Sequence, residues 1–264
     1  MDKKWCIGCG ICKEACPKEA VEIKRTQYAG EKTLEVDINE QKCIYCGICV
    51  ALCPTEALTL KINGKIRVPT IENESIPKLI HEIDIDVTKC RLAHTYGREL
   101  GCVECVTACP FNLITFSCNG ELHVNKERCV GCGICKTVCP YDLIRVRKIF
   151  YGVIRINHEK CPEGCHECLD VCPIKSPRGK ALYLSEDGKV HVNPIYCIYC
   201  GACKMACPIS DALDFQRTYI NHTPVHSGTW NKILEKLTSN RVLAKELRAK
   251  SFLFFFKNTG VPER

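Results

Sequence analysis

Four stretches of the chain carry the same chemistry-bearing pattern, C-x2-C-x2-C-x3-C followed by proline: "CIGCGICKEACP" (6–17), "CIYCGICVALCP" (43–54), "CVGCGICKTVCP" (129–140) and "CIYCGACKMACP" (197–208). Three thiols spaced by two residues can wrap a loop around one [4Fe-4S] cube, with the intervening amides facing its sulfides. The fourth thiol, three residues on, points away. Zinc also takes four thiolates, but commonly as two C-x2-C pairs separated by a dozen or more residues. Four thiols crowded together and ending each time in Cys-Pro have iron–sulfur spacing.

Two further groups are irregular. Cys102, Cys105 and Cys109 precede Pro110, and their lead thiol is Cys90, set apart by the insertion "RLAHTYGRELG". The assignment of Cys90 rests on a repeated approach sequence: "INEQKC", "IDVTKC", "VNKERC", "INHEKC" and "VNPIYC" end at Cys43, Cys90, Cys129, Cys161 and Cys197. Cys161, Cys165, Cys168 and Cys172 precede Pro173, with one extra residue in the first gap. Their C-x3-C-x2-C spacing is that of radical S-adenosylmethionine enzymes. Cys172 supplies a fourth thiol, however, and the flanks match the other groups. Six groups use 24 of the 25 cysteines; Cys118 is left over and is expected to be a half-buried strand residue.

Other residues near the thiols are weighed against this set. His94 and His166 lie inside the irregular groups, where four thiols already stand, so both are expected beside the ligands or facing solvent. Tyr45 and Tyr199 share one position and are expected to keep water off the metal centre. Gly10, Gly47, Gly133 and Gly201 leave room for the backbone to approach it. No paired carboxylates, phosphate loop or nucleophile constellation stands out.

The elements that must hold these thiols are short. After each Cys-Pro comes an apolar run, "AVEI", "ALTL", "NLITF", "DLIRV", "ALYL" or "ALDF", which reads as a strand. Asn63-Gly64, Asn119-Gly120 and Asp187-Gly188 are expected at hairpin turns, with Gly30 and Gly152 as weaker versions. The long connection "VPTIENESIPKLIHEIDID" is expected to add a helix from about Ser75 and to be free to contact a partner. From Ser227 or Thr229, a helix is expected with Ile233, Leu234, Leu237, Leu243 and Leu247 on one face, followed by Phe252 to Phe256.

Composition bounds the class. The start "MDKKWCIGCG" has neither an apolar run nor a small-residue cleavage site, which points to a reducing cytoplasm and to metal rather than disulfides. The longest apolar run, "FLFFF" at 252–256, falls far short of a membrane span. The formal charge of +7 would suggest nucleic acid as a partner, but each oxidised cube with its four thiolates carries 2−. Six would bring the chain to about −5, which removes that reading.

Residues 1 to about 216 resemble the polyferredoxin family, built from tandem two-cluster ferredoxin units. The resemblance implies an α+β chain of three tandem 2[4Fe-4S] units with short helices and β-hairpins, at 1–70, 71–150 (with the linker 69–86) and 151–220, plus a helical tail at 221–264. It implies six [4Fe-4S] clusters in exchanged pairs. Cys6, Cys9, Cys12 and Cys53 would hold one cube and Cys43, Cys46, Cys49 and Cys16 its partner. Cys90, Cys102, Cys105 and Cys139, then Cys129, Cys132, Cys135 and Cys109, would hold the second pair. Cys161, Cys165, Cys168 and Cys207, with Cys197, Cys200, Cys203 and Cys172, would complete the third. Nested pairing, one unit inserted within another, stays open at this stage.

The expected function is that of a non-catalytic electron wire in an anaerobic redox complex, docked to other subunits through the tail 221–264. Multiple motifs followed by "HSGTWNKILEKLTS" resemble the polyferredoxin subunits of tungsten or molybdenum formylmethanofuran dehydrogenases, which implies a role in carbon dioxide reduction. The alternatives are a polyferredoxin of a hydrogenase or heterodisulfide reductase, and a free multicluster carrier; soluble ferredoxin is a further partner to consider.

Overall fold

The computed structural model describes residues 1–28, 31–90, 102–116, 121–209 and 211–238, with the side chains of 25–28 and 31–33 left aside. One small device recurs in it. A helix of four or five residues carries the third thiol of each cysteine group: α1 (Ile11–Ala15), α2 (Ile48–Ala51), α4 (Glu104–Ala108), α5 (Ile134–Val138), α6 (Glu167–Asp170) and α7 (Ala202–Ala206). A further short helix, α3 (Pro69–Glu72), lies in the long connection.

Both ends of the device follow from backbone sterics. Gly10, Gly47, Gly133 and Gly201 stand at the helix starts with φ of 78°, 82°, 80° and 94°, a region where side chains carry a cost. At Gly133 an added Cβ would meet nothing within 4 Å, so the need there is conformational rather than for space. In the irregular groups, Val103 and His166 enter their helices at φ −113° and −125° instead. At the other end, the residue before proline is pushed out of the helical region. Cys16, Cys109 and Cys139 accordingly stop their helices at φ −70° to −73° and ψ 112° to 118°, which turns the fourth thiol away from the first three.

Strands join these helices in pairs. β1 (Val21–Tyr28) and β2 (Glu31–Ile38) form a hairpin, as do β3 (Lys61–Ile62) with β4 (Lys65–Ile66), β6 (Ile114–Phe116) with β7 (Leu122–Val124), β10 (Lys175–Ser176) with β11 (Gly179–Lys180), and β12 (Leu182–Leu184) with β13 (Val190–Val192). Two pairs are long-range and antiparallel: β5 (Glu82–Ile85) with β8 (Ile144–Arg147), and β9 (Phe150–Ile156) with β14 (Leu213–Ile220). They close the segments 82–147 and 150–220 on themselves. At the front of the chain the same closure is made without a strand pair, by Asp2 N–H to the Ala57 carbonyl and the Thr55 hydroxyl to the Trp5 carbonyl, both at 2.7 Å.

Several local expectations are corrected here. Five of the six apolar runs contribute to strands, but 57–60 lies in none. Gly152 is no turn; it sits inside β9, where a Cβ would lie 2.2 Å from the Gln216 carbonyl of β14. Asn63-Gly64 does make a two-residue turn, at φ 51° and 79°, whereas Asp187-Gly188 belongs to a longer loop closed by Ser185 N–H to the Lys189 carbonyl. The helix expected from Ser75 lies earlier, as α3, because Pro69 is preset for a first turn. The rest of that connection is held by its own chain: Ile80 donates to the Asn221 carbonyl, and Thr223 to that of Lys78. Gly30, Asn119-Gly120 and Cys118 fall outside the described residues.

The expected docking surface is corrected for the described part of the tail. Ser227 caps α8 (Gly228–Thr238) through its hydroxyl, and the apolar face of that helix, Trp230, Ile233 and Leu237, is 5% exposed or less. Trp230 packs edge-on to His222 and shares one core with Ile11, Ile149, Phe150, Ile198 and Leu213. Trp230 and Leu237 belong to the fold and offer no free surface. Leu243, Leu247 and Phe252 to Phe256 lie outside the described residues. Among the described residues, no helix is long and apolar enough to cross a membrane.

Candidate metal centres

The turn at Cys-Pro sends each fourth thiol toward the group of a neighbouring motif. Cys16 lines a cavity of about 220 Å³ with Cys43, Cys46 and Cys49. Cys207 lines one of about 350 Å³ with Cys161, Cys165 and Cys168, and Cys172 faces a tighter space with Cys197, Cys200 and Cys203. The other groups are visible through the charges that act on each thiol. Cys53 acts on Cys6, Cys9 and Cys12. Cys139 and Cys102 act on Cys90 and Cys105. Cys109 acts on Cys129, Cys132 and Cys135. Within each neighbouring pair of groups the third thiols also feel each other: Cys49 acts on Cys12, Cys105 on Cys135 and Cys168 on Cys203.

Burial dominates the electrostatics. It pushes Cys12, Cys132, Cys135, Cys168 and Cys200 up to about 12, and Cys49, Cys105 and Cys172 up to about 11; neighbouring thiolates add to the rise. Cys9 and Cys203 are raised well above the ordinary thiol value for the same reason. Four thiolates cannot share such a space without a positive core. A metal core that displaces their protons reverses the penalty.

Backbone amides already point at the sulfurs. Ala20, Ala57, Leu113 and Leu143 donate to Cys16, Cys53, Cys109 and Cys139 over 3.2–3.4 Å, always from four residues on. A left-handed residue, Glu19, Glu56, Asn112 or Asp142 at φ 50–51°, precedes each donor and aims it. Other ligand-loop amides act likewise, from Gly8 on Cys6, Gly131 on Cys129 and Tyr199 on Cys197. Such bonds favour the thiolate. Four sulfurs with amide donors suit a multi-iron core, and the cavities of about 220 and 350 Å³ have the room for one; a single zinc ion holds sulfur at about 2.3 Å and would leave those two largely empty. Among the described residues, no three His, Cys, Asp or Glu side chains converge on one ion.

The accessory residues divide. Tyr199 is buried, as expected, but Tyr45 is exposed. His166 heads α6, half-buried; His94 lies outside the described residues. Sequence reasoning missed two cations. Lys148 donates to the carbonyls of Pro194 and Cys197 at 2.7 and 2.8 Å, and its ammonium is lowered by burial while the thiolates of Cys197 and Cys132 oppose that. Arg217, fully buried, grips the carbonyls of Tyr199 and Cys200.

Four family models cover most of the chain: a 4Fe-4S dicluster domain at 5–57, a 4Fe-4S double cluster binding domain at 42–112, a 4Fe-4S binding domain at 122–145 and a second 4Fe-4S dicluster domain at 153–208. The chain belongs to the polyferredoxin family. This polyferredoxin is therefore an iron–sulfur electron-transport protein of tandem 4Fe-4S ferredoxin domains, with small helices and strands mixed. Its fold is similar to a chain of the formate dehydrogenase–heterodisulfide reductase–formylmethanofuran dehydrogenase complex from Methanospirillum hungatei. The two share 31% identity and a TM-score of 0.75 over 90% of the polyferredoxin and 84% of that chain. No curated protein matches the polyferredoxin.

Proposed function

We propose that the chain is the electron-transfer subunit of an anaerobic, cytoplasmic redox complex and carries six [4Fe-4S] clusters in three tandem units, at 1–70, 71–150 and 151–220. The observation that carries this reading is the exchange of fourth thiols. Cys16 stands with Cys43, Cys46 and Cys49, and Cys207 with Cys161, Cys165 and Cys168, which is the ligand crossing of two-cluster ferredoxins. The ligand sets are then Cys6, Cys9, Cys12 and Cys53; Cys43, Cys46, Cys49 and Cys16; Cys90, Cys102, Cys105 and Cys139; Cys129, Cys132, Cys135 and Cys109; Cys161, Cys165, Cys168 and Cys207; and Cys197, Cys200, Cys203 and Cys172.

Each cube, when bound, supplies one-electron redox chemistry at a potential typically near −400 mV. The chain's own residues bind it through fully occupied thiolate sets that leave no open iron for substrate. They exclude water with Ile11, Ile134, Ile198 and Tyr199, and steady the thiolates with amide donors. With 264 residues shared among six cubes, the metal cores make up much of the interior, and cluster binding and folding are one equilibrium.

The partner enzyme is a formylmethanofuran dehydrogenase, in which the chain delivers electrons for carbon dioxide reduction. The similarity to a chain of a complex containing that enzyme supports this reading. Because the same complex contains heterodisulfide reductase, service to that enzyme is a second reading with the same support. Anaerobic purification from the native host, with native mass and identification of the co-purifying subunits, tests both. Formylmethanofuran dehydrogenase subunits that co-purify without heterodisulfide reductase support the first and the converse supports the second; a chain that remains a monomer beside every redox enzyme rules out both.

A further inference from the structure

Among the described residues, Arg217 is the one charged residue with essentially no exposed side chain, and it sits on β14 where the alternation of the strand places Leu213 and Phe215 on the same inward side. Its guanidinium lies 5.0 Å from the Phe215 ring and 5.8 Å from that of Phe150, so both faces of its surroundings are apolar. Nε donates to the Tyr199 carbonyl at 3.2 Å and Nη2 to that of Cys200. Nη1 donates to the Glu14 carboxylate at 2.6 Å. Glu14 is 8% exposed and stands in α1, between Cys12 and Cys16.

The contact joins the first cysteine motif to the strand that follows the last, 203 residues apart in sequence. Gly201 sits at the same junction: a Cβ there would lie 2.8 Å from Arg217 Nη2 and 3.2 Å from the Cys9 carbonyl. The thiol of Cys9 accordingly feels that of Cys200. A buried ion pair of this kind is weak evidence for stability, because desolvation offsets the attraction. Its position argues for another role. A fixed cation in a dry site beside thiolates stabilises the more negative state of whatever those thiolates hold, and a fixed anion does the reverse.

We propose that Arg217 and Glu14 together set the reduction potential of the group held by Cys172, Cys197, Cys200 and Cys203. Arg217 raises it, and Glu14, reaching across from the first motif, trims that rise. Both are positioning residues: Arg217 bonds the ligand loop through the Tyr199 and Cys200 carbonyls, and Glu14 reaches that loop through Arg217. The inference rests on the cluster assignment proposed above.

The test is an anaerobic redox titration of the full chain followed by electron paramagnetic resonance, with iron and acid-labile sulfide measured on each sample. Glu14→Gln keeps a hydrogen-bonding partner for the guanidinium but removes the compensating charge, and should move one reduction step to a higher potential. Arg217→Gln should move the same step lower, and Arg217→Lys, which keeps the charge without the fork, should fall between it and wild type. If Arg217→Gln loses iron, the other two variants decide. A merely structural pair would lower thermal stability and leave the potentials where they were, or shift them in the same direction in both variants; either outcome overturns the inference. Wild-type protein without iron and sulfide would overturn the cluster assignment as well, whereas full iron and sulfide with unmoved potentials overturns only the role of Arg217 and Glu14.

Discussion

Tyr45 and Tyr199 hold the same place in their motifs and the same left-handed backbone, φ 53° and 50°, yet Tyr45 is 51% exposed and Tyr199 only 9%. The difference comes from β9. Gly152 opens a gap that the Tyr199 ring fills, with Lys148 5.2 Å from the ring centre; Tyr45 has no such cover, and Ile44 beside it is also exposed.

Replacing each tyrosine by glycine, the residue found at the matching positions 8 and 131, should therefore give different results. Tyr45→Gly relieves a left-handed tyrosine at little loss of burial and should leave stability within about 1 kcal/mol of wild type. Tyr199→Gly removes a buried ring and should cost about 3–5 kcal/mol. Anaerobic denaturant unfolding of the iron-loaded chain would measure both, and equal losses would show that cover by β9 is irrelevant.

Two glycines of one motif offer a similar contrast. At Gly131 a Cβ would lie 2.1 Å from the Arg147 carbonyl, while at Gly133 it would meet nothing within 4 Å. Gly133→Ala should cost only the left-handed backbone, about 1–2 kcal/mol. Gly131→Ala must push a ligand loop off β8 and should lose iron during purification. Iron content of the two variants distinguishes them, and retention of full iron by Gly131→Ala would count against the packing described.

The ends of these devices were legible in the sequence because they are local. Glycine at the helix start and Cys-Pro at its end act within a few residues, and the Ser227 cap likewise. The pairings β5–β8 and β9–β14 were not legible. Each apolar run after Cys-Pro reads the same, and nothing within Ile144–Arg147 says that its partner is Glu82–Ile85 and not the adjacent β9. Arg217 left a signal that was passed over, a charge on the inward side of an otherwise apolar strand face, Leu213 and Phe215. The described part of the tail, 221–238, reads from sequence as a free apolar face because the surface that covers it, assembled from Ile11, Phe150 and Leu213, comes from segments remote in the chain.

Since Trp230 is 1% exposed inside the shared core, its loss should be felt by the isolated chain. Trp230→Ala should destabilise the purified, iron-loaded chain by about 3–5 kcal/mol, with no partner present. An unchanged unfolding midpoint combined with loss of complex formation would instead restore the helix as a docking element.

Metal and sulfide analysis of the anaerobically prepared chain tests cubane ligation most directly. Six cubes require about 24 iron and about 24 acid-labile sulfide per chain. About six zinc with negligible sulfide would contradict it.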